Sequence, residues 1–180
     1  MNNGNKTRIH AITAAAAAGA AYAALTVALA PISYGAIQLR ISEALCILPF
    51  FMPCTVWGLF VGCLIANLLT GNVFDILFGS LAMLAAALLI ARLGGRGNSP
   101  RNRVLACLAP VILNAVIVGA VITAAYEGVN FLQHPGAFAF NALTVGLGEA
   151  VVLFALGLPL MRWLPGRKFF RELVEKTNKR

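Results

Sequence analysis

The stretch from Ser33 to Glu43 gathers Tyr34, Gln38, Arg40 and Glu43 in a chain otherwise poor in polar side chains. Arg40 and Glu43 are three apart, a spacing that lets side chains pair on one helical face. Such a pair caps a helix or, together with Gln38, points into a pocket and hydrogen-bonds a polar ligand. Asn67, Asp75, Asn141 and Glu149 extend the set. Asn141 and Glu149 are eight apart, roughly on one face of a helix. An ionisable group among apolar residues is costly and marks a functional candidate. For Glu149 the structural alternative is a hydrogen bond to Asn114 or Ser80. For Asp75 it is ordinary capping in a first helical turn. Several carboxylates with one arginine favour a ligand that is cationic or rich in donors. A guanine edge offers two adjacent donors that one carboxylate accepts together, and a primary amine takes another carboxylate. Tyr34, Phe74 and Phe138 are aromatic candidates, either to stack on a flat ring or to anchor at a membrane interface.

This is recognition chemistry, and catalytic motifs are missing. The chain has no GxxxxGK[ST] phosphate loop, no HExxH and no GxSxG. His10 and His134 are expected on opposite sides of the membrane. Cys46, Cys54, Cys63 and Cys107 form no CxxC pair and sit in apolar runs, where cysteine behaves as a small hydrophobe. The expectation is a protein that is not an enzyme and needs no metal or cofactor.

The elements that must position these groups are apolar. Of 180 residues, 60% are hydrophobic and 11% charged, against about 25% charged in soluble domains. Mean hydropathy is +0.84. Apolar stretches run approximately over 9–30, 41–69, 73–91, 104–125 and 138–161. A spanning helix takes about 20 apolar residues. The net charge of +8 resides mostly in three basic groups outside these stretches: Lys6 and Arg8, then Arg92 to Arg103, then Arg162 to Arg180. They read as topology signals and lipid-headgroup contacts rather than nucleic-acid binding.

The positive-inside rule puts all three groups in the cytoplasm, so the chain crosses an even number of times before Arg92. The 41–69 stretch must then cross twice, with a break at the Pro49–Pro53 string. The result is an all-α integral membrane protein of six transmembrane helices. Its second helix is short, and both termini are cytoplasmic. Residues 1–165 form the membrane domain. Residues 166–180 form a basic amphipathic tail on the cytoplasmic surface, with Phe169, Phe170, Leu173 and Val174 on its apolar face. A cleaved signal peptide is the rival for the N-terminus, but the first apolar stretch continues to Pro31, past a typical signal core.

The first helix is built of small residues. Its rows Ala11–Ala15–Gly19–Ala23 and Ala16–Ala20–Ala24 allow close helix approach, either within the bundle or onto another membrane subunit.

The string Pro31-Ile-Ser-Tyr-Gly-Ala-Ile-Gln-Leu-Arg-Ile-Ser-Glu-Ala-Leu45, then Leu48-Pro-Phe-Phe51, resembles the QueT family, and so does Gly71-Asn-Val-Phe-Asp-Ile-Leu-Phe-Gly-Ser-Leu-Ala82. The similarity runs from about Ala11 to Leu164. The resemblance implies a substrate-binding S component of an energy-coupling factor (ECF) transporter. Its implied partners are a transmembrane coupling subunit and two cytoplasmic ATPases. Its implied substrate is a queuosine precursor, 7-aminomethyl-7-deazaguanine or queuine, bound near the outer face. The family's small-xxx-small contact with the coupling subunit maps onto Ala15 and Gly19, with Ala16 and Ala20 as the alternative row. Gly19 and Met83 depart from the family pattern. Two other functions stay open on the residues: an S component for another vitamin or base, and a membrane scaffold with no small ligand.

Overall fold

The computed structural model describes residues 3–33, 39–69, 71–130 and 132–178. Among them every regular element is helical. Helix α1 (Asn3–Ala28) follows from its alanine run, since alanine has the highest helix propensity. A single turn, α2 (Ala30–Ser33), follows it. A 3-10 segment, Ile41–Ile47, runs directly into α3 (Leu48–Phe51). Pro49 fits there because it stands in the first turn of α3, where its missing N–H is not needed. The chain breaks at Met52–Cys54, and α4 (Thr55–Leu68) restarts with the Thr55 hydroxyl donating to Met52 O at 2.8 Å. Thus the break expected at Pro49–Pro53 falls at its C-terminal end.

Gly71, at φ +68, turns the chain after α4. A π-helical turn, Asp75–Gly79, leads into α5 (Ser80–Gly95). Helix α6 (Pro100–Val121) is capped by Ser99, whose hydroxyl accepts from Asn102 N at 3.2 Å. It ends in a second π turn, Ile122–Tyr126. Helix α7 (Pro135–Val152) passes through a third, Leu153–Gly157, into α8 (Leu158–Trp163). The last element is α9 (Lys168–Asn178).

Four segments are long and apolar enough to cross a membrane: Gly4–Ala28, Asp75–Gly95, Pro100–Ala125 and Pro135–Gly166. Ile41–Phe51 and Thr55–Leu68 are shorter apolar helices. The bundle is inverted relative to a soluble protein. Trp57, Val61, Ile65 and Leu68 make an exposed stripe on α4, and Phe140, Leu143, Leu147 and Val151 make one on α7. Arg40, Glu43, Asp75 and Glu149 are buried. Exposed leucine stripes around buried charges require an apolar solvent, so this is a membrane protein.

Helix α1 packs most extensively on α4, and α6 on α7 and α5. The α1–α4 contact has no side-chain layer between the backbones. A Cβ on Gly58 would meet Ala15 O, and Cβ atoms on Gly19 or Gly62 would meet Gly58 O and Gly19 O, all at under 3 Å. Only glycine permits this approach. A second close approach of this kind is made where Gly94 of α5 lies against Phe50 O.

Helix α9 folds back on α1. Phe170 is buried and meets Phe51 edge to face, with centroids 5.4 Å apart. Asn178 Nδ2 donates to Phe51 O at 2.9 Å, satisfying a carbonyl left open by the break. Phe169, expected on the same apolar face, is instead 77% exposed. Neighbours in a helix are rotated by about 100°, and Phe170 takes the inward position.

Candidate binding site

A buried polar cluster lies at the end of the bundle where α5 begins, opposite the Arg92–Arg103 turn. Glu43, in the 3-10 segment, is at its centre and is 1% exposed. Tyr22 of α1 donates its hydroxyl to Glu43 Oε1, and Cys46 donates its thiol to Oε2 at 2.8 Å. Each carboxylate oxygen therefore holds one protein donor and keeps lone-pair capacity for another. Glu149 of α7 is buried in the same polar network and acts on Glu43 electrostatically. Its Oε1 accepts from Asn114 Nδ2 at 2.9 Å, which is the structural bond anticipated for it. Two carboxyl groups that act on each other in a dry interior make a place where a cation is favoured.

Arg40 Nη2 stands 4.0 Å from Asp75 Oδ2, with both side chains 8% exposed. Glu43 and Tyr22 also act on Arg40 electrostatically. The expected Arg40–Glu43 partnership is therefore part of a wider network in which Asp75 supplies the ion pair. Asp75 does not cap its own helix: Asn72 does so, accepting from Phe74 N at 2.9 Å and Asp75 N at 3.4 Å. Asn67 is fully buried, and its Nδ2 donates to Asp75 O at 3.2 Å and Ser80 Oγ at 3.4 Å. This bond ties α4 to the start of α5.

The structure thus brings together Arg40, Glu43, Asn67, Asp75 and Glu149. It places Asn141 elsewhere: its Nδ2 donates to Thr123 Oγ1 at 3.0 Å and to Glu127 Oε1 at 2.7 Å. Asn141 and Glu149 share a face of α7, but eight residues separate them by about 12 Å along the axis. Phe74 and Phe138 line an apolar lateral groove with Phe78, Val116 and Leu132, away from the carboxyl cluster. Tyr34 and Gln38 lie outside the described residues. The stretch that contains them is closed by Leu39 N donating to Ile32 O at 3.0 Å.

Tyr22, Cys46, Cys63, Thr26 and Ser42 belong to the cluster without having been expected there. Thr26 Oγ1 lies 2.6 Å from Ser42 Oγ, and Asn67 Nδ2 lies 3.5 Å from Cys63 Sγ. The available signal was Tyr22 itself, one large polar-tipped residue in a run of alanines. A buried phenol takes a hydrogen-bond partner.

A cavity of about 10 Å³ is bounded by Arg40, Asn114, Val118, Val145 and Glu149. That is room for about one water.

A second feature faces outward. Between α1 and α4 runs an apolar groove of about 630 Å³, lined by Ala16, Ala20, Trp57, Val61 and Ile65 among others. Ala15 and Gly19 form its floor, already packed on Gly58 and Gly62. Ala16 and Ala20 are exposed on its rim.

The family model described as QueT transporter matches residues 12–165. The chain belongs to the QueT transporter family. Comparison with curated proteins returned no match, and comparison with solved structures returned none. Membership makes this QueT chain a membrane transport protein with a small-molecule substrate.

Proposed function

We propose that this protein is the substrate-binding S component of an ECF importer for a queuosine precursor. It crosses the membrane six times, counting Ile41–Phe51 and Thr55–Leu68 as one short and one longer crossing, with both termini cytoplasmic. Residues 1–165 are the membrane domain, and 166–180 the cytoplasmic tail. The basic groups at Lys6–Arg8, Arg92–Arg103 and Arg162–Arg180 support this orientation.

The observation that carries the ligand assignment is the burial of two carboxyl groups, Glu43 and Glu149, within one hydrogen-bonded polar network. A deazaguanine with an aminomethyl group offers both a two-donor edge and a cation. Glu43 accepts the guanine edge. Glu149 holds the ammonium, because Asp75 already faces Arg40. Asn67 and Gln38 orient the ring, and Tyr34 is the candidate to stack on it. Asn141 supports the site from the neighbouring cluster. The small-molecule sites of proteins measure roughly 300–1,000 Å³, so the 10 Å³ cavity is a closed form that the ligand opens.

Uptake is driven by ATP hydrolysis on two partner ATPases, through a transmembrane coupling subunit. That subunit docks on the α1–α4 groove. Ala15 and Gly19 are occupied by α4, which favours the Ala16–Ala20 row as the contact. Binding of the aminomethyl base to purified protein and to its Glu43→Ala variant tests the reading. A loss of tenfold or more supports it, since a charge-assisted hydrogen bond contributes about 1.5–3 kcal/mol. Unchanged affinity removes Glu43 from the site.

A further inference from the structure

The helix that carries the outward groove also reaches into the polar cluster, through Tyr22 and Thr26. Tyr22 is fully buried, and its ring replaces what is otherwise alanine along this part of α1. Its hydroxyl donates to Glu43 Oε1 and lies 3.7 Å from Cys63 Sγ on α4. One turn further on, Thr26 meets Ser42, the residue before Glu43, at 2.6 Å. The 3-10 segment therefore has its carboxyl and its adjacent hydroxyl both held by α1. Cys46 holds the other carboxyl oxygen from within the same segment. Of these two donors, Tyr22 comes from a different element.

We infer that Tyr22 is a positioning residue for the ligand: its hydroxyl fixes the Glu43 carboxyl in the orientation that accepts the ligand's donors. This rests on the proposed deazaguanine reading. A buried carboxylate with one fixed oxygen presents its remaining lone pairs in one direction. With that donor removed, only the weaker Cys46 thiol holds the carboxyl, which then turns more readily about its broad terminal torsion. The hydroxyl acts on the ligand through Glu43, so its effect must vanish when the carboxylate is gone. A purely structural tyrosine would behave differently, since its loss would lower affinity by the same factor whatever stood at position 43.

The test is a double-substitution cycle on the full chain in detergent. The affinity for 7-aminomethyl-7-deazaguanine is measured for wild type, Tyr22→Phe, Glu43→Gln and the double variant. Phenylalanine keeps the ring, and thermal unfolding shows that each variant is folded. The expected result is a loss of fivefold or more for Tyr22→Phe in the wild-type background and less than twofold in the Glu43→Gln background. Equal losses in both backgrounds, or no loss in either, overturn the role of Tyr22 while leaving the ligand assignment intact. If wild type binds no deazapurine, the ligand reading fails, and this role fails with it. Should Tyr22→Phe not fold, Tyr22→Trp is compared with Tyr22→Phe in a lipid nanodisc. Recovery of folding without recovery of affinity supports positioning through the hydroxyl, and recovery of both overturns it.

Discussion

Asn114 Nδ2 on α6 donates to Glu149 Oε1 on α7 at 2.9 Å, across the interior of the bundle. The amide takes Oε1 and leaves Oε2 with capacity for a further donor. If Glu149 holds the ligand's ammonium, Glu149→Gln removes the charge and keeps the shape. Affinity for the aminomethyl base then falls about tenfold or more, as expected for a charge-assisted bond. Affinity for guanine, which has no amine, changes by less than about threefold, under 1 kcal/mol on the same scale. Isothermal titration with both ligands checks this.

The Arg40–Asp75 pair predicts a non-additive response. Removing one partner leaves the other buried charge less well matched, at a cost of up to about 3–5 kcal/mol. Arg40→Gln and Asp75→Asn should each lower the unfolding temperature in detergent. The double variant should be more stable than the sum of the single losses implies. Simple additivity would mean that the 4.0 Å pair contributes nothing.

The glycine seam between α1 and α4 predicts a strict limit on size. A Cβ at position 58 would lie 1.9 Å from Ala15 O, so the helices must part. Gly58→Ala should destabilise the fold by about 1–3 kcal/mol, the usual cost of overpacking. Gly95, whose Cβ would meet nothing within 4 Å, is the control, and Gly95→Ala should be nearly neutral. Thermal unfolding of both variants decides.

These contacts show how far the sequence can be read. Arg40, Glu43, Asn67, Asp75 and Glu149 stood out because a polar group inside an apolar run is expensive, and the structure gathers all five. Asn141 stood out for the same reason, but helical periodicity gives a face and not a depth. It joins Thr123 and Glu127 instead. Tyr22 and Cys46 are easily passed over because an aromatic and a thiol in an apolar run read as packing. Gly58 and Gly62 were missed because the alanine rows of α1 drew attention to one helix, while the seam needs both. For Phe169 and Phe170, a shared apolar face was legible, but which ring goes inward depends on where Phe51 stands.

The exposed Ala16–Ala20 row predicts that docking and ligand binding separate. Ala16→Trp or Ala20→Trp adds bulk to the groove without touching the polar cluster. Either variant should bind the ligand as wild type does, yet fail to co-purify with the coupling subunit. Loss of ligand binding in these variants would place the groove in the wrong role.

The most direct test of the central claim is equilibrium binding of 7-aminomethyl-7-deazaguanine to the purified protein in detergent, with guanine, queuine and thiamine as competitors. The account predicts saturable binding that queuine or guanine displaces and thiamine does not. Folded protein that binds no deazapurine would contradict it.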